Sequence, residues 1–207
     1  MKTSLAILTL FLTCLCANGQ TQLADSEIAK TMQVLADTTI IVQYPGVWNS
    51  GPQLYLISKK GDTINTYLYQ RPPYRKIVGK VARGVANAIV LKEFREYRDE
   101  PVGINRYFTI IDDNPDTLRM VWNDLLKLQL WRTKDDAIEG SGCPVTKSSY
   151  IEIDDGGGVY ILLITRGEIK PLNFYAPSEF ERFCPGRKGR QTAIKLSRMV
   201  CKIFKKT

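Results

Sequence analysis

A chain of 207 residues, 44% hydrophobic and 24% charged, is long enough to bury a substantial core, and its formal charge of +8 favours acidic partners. It contains no histidine, which excludes every Ser-His, Cys-His and His-metal arrangement, and whole classes of hydrolase with them. Catalysis is left to carboxylates, lysine, tyrosine or a Ser-Lys pair.

Lys2, the apolar run over residues 5–15 and Ala17-Asn18-Gly19 before Gln20 predict a secretory signal cleaved after Gly19. The apolar run is shorter than the roughly 20 residues that a permanent membrane helix needs, and no later segment approaches that length. Cys14 and Cys16 offer a lipid-anchored start, but Thr13 and Leu15 stand where a small residue is wanted, so both cysteines are expected to leave with the signal. Residues 20–207 are then expected to form a single secreted, periplasmic or cell-surface domain, since no linker or repeat divides them. In that setting anionic lipid, polysaccharide or another envelope protein is a more natural partner for a basic surface than nucleic acid.

Cys143, Cys184 and Cys201 survive the cleavage, an odd number that allows one disulfide and one spare thiol. Cys143-Pro144 and Cys184-Pro185-Gly186 sit in turn-forming sequence, whereas Cys201 lies in a helical pattern. The expected bond is Cys143 with Cys184; Cys184 with Cys201 is the alternative. Without a Cys-x-x-Cys pair, the cysteines read as structural rather than redox-active.

Along the mature chain, Ile28, Met32 and Leu35 share one side of a helix capped by Asp25 or Ser26. Residues 38–44 are β-branched and end at Pro45-Gly46, reading as a strand. Residues 53–58 and 63–69 flank Lys59-Lys60-Gly61-Asp62 as a hairpin. Over 77–90 the glycines Gly79 and Gly84 leave helix and strand balanced. Residues 107–111 read as a strand, and Asn114-Pro115-Asp116 opens a helix carrying Leu118, Val121, Trp122, Leu125 and Leu128, with Trp122 in the core. Leu130-Trp131-Arg132 suggests an extended start before a polar loop through Gly142. Residues 150–153 and 159–165 flank Asp154-Asp155-Gly156-Gly157-Gly158 as a second hairpin, and 169–175 adds a strand. A last helix begins near Arg190. The fold expected is α+β, a mainly antiparallel sheet built from hairpins and packed with N-terminal, central and C-terminal helices.

That last helix gathers Leu196, Met199, Val200, Ile203 and Phe204 on one side and Lys195, Arg198, Lys202, Lys205 and Lys206 on the other, with no acid among them. The basic side suits a membrane surface or polyanion; it equally suits an ordinary packed helix with cations at its C-terminus. Before it, Arg187, Lys188 and Arg190 lie in a basic loop whose helix N-terminus suits an anion, without the spacing of a Walker loop. Asp112, Asn114 and Asp116 begin like a calcium loop, but Thr117 replaces the required glycine and Asn123 the closing glutamate, so they read as a helix cap. Asp154 and Asp155 are the candidates for a carboxylate-dependent hydrolase, although a hairpin turn selects the same residues. Tyr44, Trp48, Tyr55, Tyr67 and Tyr69 are candidates for a carbohydrate or peptide groove, with alternation sending some of them to the core.

Trp122-Asn123 with Leu130-Trp131, Gly142-Cys143-Pro144, Asp154-Asp155-Gly156-Gly157-Gly158, Phe174-Tyr175-Ala176-Pro177 and Cys184-Pro185-Gly186-Arg187 together resemble small uncharacterised secreted proteins of Bacteroidetes-type Gram-negative bacteria. The resemblance implies a periplasmic or cell-surface setting and supplies no activity, catalytic residue, metal or cofactor. The combined expectation is a binding or interaction module of the cell envelope whose contacts are Arg187, Lys188, Arg190, Lys195, Arg198 and Lys202.

Overall fold

The computed structural model describes residues 23–44, 51–72, 83–144, 151–154 and 156–204. The expected signal segment, Trp48, Asp155, Lys205 and Lys206 lie outside them. Six strands form one antiparallel sheet in the order β4-β3-β2-β1-β5-β6, with β1 at Thr38–Tyr44, β2 at Gln53–Lys60, β3 at Thr63–Gln70, β4 at Phe108–Ile111, β5 at Gly158–Thr165 and β6 at Ile169–Tyr175. Among the described residues six helices accompany it: α1 at Glu27–Leu35, α2 at Arg83–Asp99, α3 at Pro115–Lys127, α4 at Asp136–Glu139, α5 at Pro177–Phe183 and α6 at Lys188–Phe204. The α+β class read from the sequence is the class observed.

The sheet is apolar on both sides, and strand alternation sorts its residues into two clusters. On one side Ile40, Val42, Ile57, Val159, Ile161 and Leu163 meet Trp122 and Leu125 of α3 and Ala193, Leu196, Val200, Ile203 and Phe204 of α6. On the other, Ile41, Leu54, Leu56, Tyr69, Leu162 and Ile164 meet Leu23, Ile28, Ala29 and Met32 at α1. β1 and β5 are interior strands covered on both faces, and their sequences read as nearly unbroken apolar runs.

Local signals explain most boundaries. The Ser26 hydroxyl accepts the Ala29 N–H at 3.2 Å and caps α1, and Asn114 Oδ1 accepts the Asp116 N–H at 2.9 Å and the Thr117 N–H at 3.4 Å to cap α3. Asp116 pairs with Arg119 at 2.9 Å, so both residues serve the helix start. The β2–β3 hairpin turns at Gly61, whose φ of +56° favours glycine, and Asp37 Oδ2 accepts its N–H at 2.7 Å. That bond holds the Asp37 carboxyl below its ordinary pKa.

Two expectations fail, and one alternative left open is decided. The second hairpin is formed by β5 and β6 around Arg166-Gly167-Glu168 rather than by residues 150–153 and β5 across the glycines; β5 pairs with β1 on its other side, leaving Ile151 to Ile153 no ladder to join. Asp154 before the three glycines lies in a turn, but residues 151–153 upstream of it are not a strand. Leu130–Arg132 is a single 3₁₀ turn, entered through Gln129 at φ 52°, and not an extended segment. Over 77–90 the helix wins from Arg83 onward, with residues 73–82 outside the described set.

Candidate anion-binding surface

The sequence 129–144 follows α3 and wraps the β6 edge, and it decides which of the basic residues remain exposed. Lys170 Nζ donates to the Trp131 carbonyl at 2.6 Å and the Thr133 carbonyl at 3.3 Å, holding the wrap against β6. Ala176 N–H bonds to Gly157 O at 2.6 Å, so even-numbered residues of β6 turn their amides toward β5 and odd-numbered ones turn them outward. Pro171 has no N–H to offer, Asn173 N–H donates to Asp135 Oδ2 at 3.1 Å, and Tyr175 N–H donates to Asp136 Oδ2 at 2.7 Å. The outward N–H groups of Asn173 and Tyr175 are thus taken by two adjacent carboxylates. Burial lifts the Asp136 carboxyl above its ordinary pKa, against the pull of the Tyr175 N–H and the Arg190 and Arg187 charges.

The wrap is covalently closed. Cys143 and Cys184 are bonded, as the turn chemistry predicts, and Cys201 is a half-buried free thiol 4.0 Å from the Tyr44 hydroxyl. The alternative Cys184–Cys201 pairing is excluded. Beneath the disulfide lies Arg190, 1% exposed, which donates to the Cys184 carbonyl at 3.3 Å and the Ser141 carbonyl at 3.1 Å and sits 5.3 Å from the Phe180 ring centre. Arg190 is therefore not a surface contact, which corrects the sequence expectation. Its sequence neighbours gave no sign of burial, because a basic loop is polar whether or not one of its arginines turns inward to cap carbonyls.

The helix N-terminus expected to hold an anion already faces a carboxylate of the chain itself. Gly189 N–H points at Glu139 Oε2, 3.4 Å away. A Cβ at Gly189 would collide with the Lys134 carbonyl oxygen, so glycine is what lets α6 start this close to the wrap. Arg187 donates to the Gly140 carbonyl, and Glu181 Oε1 accepts from the Gly186 N–H at 3.0 Å and the Gln191 amide at 2.7 Å. Of the three basic loop residues, Arg190 is buried, Arg187 half-buried and Lys188 exposed.

Lys188 borders a cleft of about 310 Å³ between the wrap and α6, shared with Arg132, Lys134, Thr192, Glu139 and Leu128. Arg132 and Lys134 were missed by the sequence reading, since only the fold brings residues 132–134 beside the start of α6. From Lys188 the exposed cations continue along the helix as Lys195 and Lys202, at intervals of seven residues, with Arg198 beside them. The row spans about 21 Å at 1.5 Å per residue. Among the described residues no ion pair engages Lys195, Arg198 or Lys202, and α6 itself carries no acid.

The remaining candidates are scattered. Asp154 is exposed in a turn beside Tyr175, whose hydroxyl donates to the Ile153 carbonyl at 2.6 Å and accepts the Gly156 N–H at 3.2 Å. Among the described residues Asp154 has no hydrogen-bond or ion-pair partner, and Asp155 lies outside them. The tyrosines do not share a groove: Tyr44 and Tyr55 pack toward Phe204 on the α6 side of the sheet, whereas Tyr69 is buried and Tyr67 stacks on Phe108 on the α1 side. Among the described residues no helix is long and apolar enough to cross a membrane, and no group of three or more acidic or cysteine side chains is placed to hold a metal ion. Comparison of the chain with protein-family models, curated proteins and solved structures finds no match.

Proposed function

We propose that this protein is a secreted or periplasmic binding module of the cell envelope that holds a linear acidic polysaccharide along the exposed cationic side of α6. The observation that carries the reading is the row Lys188, Lys195, Arg198 and Lys202, exposed and without an acid on the same helix. A linear polyanion meets such a row at several points at once, and the interaction is electrostatic and weakened by salt.

Polysaccharide is favoured over a bilayer because of the opposite side of the same helix. An interfacial helix binds a membrane by burying an apolar face among the acyl chains. In α6 that face, Leu196, Val200, Ile203 and Phe204, is already committed to the core. What remains for a ligand is charge and hydrogen bonding. The envelope setting rests on the leader-like residues 1–19, the resemblance to exported proteins, and a disulfide of the kind that persists in oxidising compartments. The hydrolase alternative, resting on Asp154 and Asp155, gains nothing from an Asp154 that is exposed in a turn with no hydrogen-bond or ion-pair partner among the described residues.

The test compares retention of the chain from residue 20 on immobilised polygalacturonate, on neutral dextran, and on vesicles of phosphatidylglycerol and phosphatidylethanolamine. The expected result is retention on polygalacturonate that falls with salt and falls again in Arg198→Ala with Lys202→Ala. Retention on vesicles alone, or retention indifferent to both salt and the double substitution, overturns the reading.

A further inference from the structure

The β4 edge carries an inference independent of the α6 row. Tyr107 O accepts the Gln70 N–H at 3.0 Å and Ile111 O accepts the Thr66 hydroxyl at 3.1 Å, so odd-numbered residues of β4 turn their carbonyls toward β3. The even-numbered ones turn outward. Phe108 N–H is taken by the Asn105 carbonyl at 2.9 Å, but among the described residues no strand or side chain pairs with Ile110 on that outer edge. The Ile110 side chain is 73% exposed. An open strand edge carrying a large apolar side chain is a template for strand addition.

We propose that β4 is a self-association edge, at which two copies of this chain pair antiparallel through Phe108–Ile111 and join their sheets across a two-fold axis. The charges flanking the strand select this occupant. Arg106 stands at the entry of β4, exposed, its guanidinium 4.9 Å from the Tyr107 ring centre and 2.7 Å from that hydroxyl, while Asp112 and Asp113 stand at the exit. In an antiparallel pair of identical strands the entry of each copy lies beside the exit of the other; with Ile110 at the centre, Asn114 of the second copy lies opposite Arg106 and Asp112, on the same face, is its diagonal neighbour, so the Arg106–Asp112 attraction occurs twice per dimer. Parallel pairing sets acid against acid and is disfavoured. With the axis at Ile110, its N–H and carbonyl bond reciprocally to the same groups of the second copy, and the two isoleucines are the central apolar contact.

Sedimentation velocity of the chain from residue 20, over a range of concentrations, tests this. The expected result is a concentration-dependent dimer that Ile110→Lys abolishes, a change the exposed position tolerates within the monomer. Arg106→Asp alone, or Asp112→Arg alone, is expected to weaken the dimer about tenfold, because symmetry applies each change twice. Both substitutions together restore it, which a merely destabilised fold would not do. A chain that stays monomeric, a dimer that survives Ile110→Lys, or charge reversals that fail to rescue one another would overturn the proposal.

Discussion

The two edges of the sheet are finished in opposite ways. At β6 the outward positions from residue 171 on are a proline and two amides bonded to Asp135 and Asp136, and the covering segment is clamped by Lys170 and closed by the Cys143–Cys184 bond. At β4 the outward residue is Ile110, 73% exposed, with no covering segment among the described residues. The difference teaches that edge protection here is a property of the wrap rather than of the strand: β6 is long and regular, and without residues 129–144 it would present the same template that β4 does. It also explains why the basic loop yields so few free cations. Arg187 and Arg190 are used to hold the wrap, which leaves Lys188 as the exposed cation of the loop and Lys195, Arg198 and Lys202 as those further along α6.

The contrast can be broken from the protected side. Cys143→Ser with Cys184→Ser opens a loop spanning 41 residues and is expected to lower stability by about 4 kcal/mol in the chain-entropy picture, whose mechanism is debated. Hydrogen exchange should rise at Asn173 and Tyr175 while β3 and β4 stay as they were; uniform loss across the sheet would show that the disulfide does not act through the wrap. Arg190→Met is expected to cost about 2–3 kcal/mol, because it keeps the packing on Phe180 but strands the Cys184 and Ser141 carbonyls in a buried place. Chemical denaturation measures it, and a cost below about 0.5 kcal/mol would mean those carbonyls find other donors.

Asp136 gives a pH signature specific to the covered edge. Burial raises its folded pKa, so the folded chain holds that proton more tightly than the unfolded chain does, and this group's contribution to stability falls as pH rises from the ordinary carboxylate range through the raised value. Asp136→Asn keeps an oxygen for the Tyr175 N–H and removes the titration. The variant should therefore gain in Tm relative to the parent between pH 4 and pH 7, with the gap closing toward acid; a gap that widens toward acid would reverse the sign of the argument. The smallest effect is expected at the start of the wrap. Gln129 is exposed at φ 52°, the position after a helix where glycine is favoured, and Gln129→Gly should raise stability by about 0.5 kcal/mol.

These contrasts also mark what the sequence could say. Local chemistry located α1, β1, the β2–β3 hairpin, β4, α3, β6 and α6, because capping side chains, Gly61, β-branched runs and helical spacing act within a few residues. It also singled out the two turn cysteines that pair. The misplaced hairpin shows the limit: the glycines after Asp154 announce a turn, while the partner of β5 is chosen by β1, more than a hundred residues earlier. The site divides the same way. Lys195, Arg198 and Lys202 were legible because helical periodicity separates them from the apolar side. The burial of Arg190, the carboxylate of Glu139 at the helix start and the place of Arg132 and Lys134 in the cleft depend on chain segments about 50 residues apart coming together, which no local pattern encodes.

The central claim is that the exposed row on α6 binds a linear acidic polymer chiefly by charge. The most direct test is the slope of log affinity for polygalacturonate against log salt concentration, measured for the parent and for Lys195→Ala with Arg198→Ala and Lys202→Ala. These side chains lie outside the core, so the variant should melt like the parent. The account predicts linear weakening with salt and a shallower slope in the variant, reflecting the contacts removed. Equal slopes for parent and variant, or no binding at low salt, would contradict it.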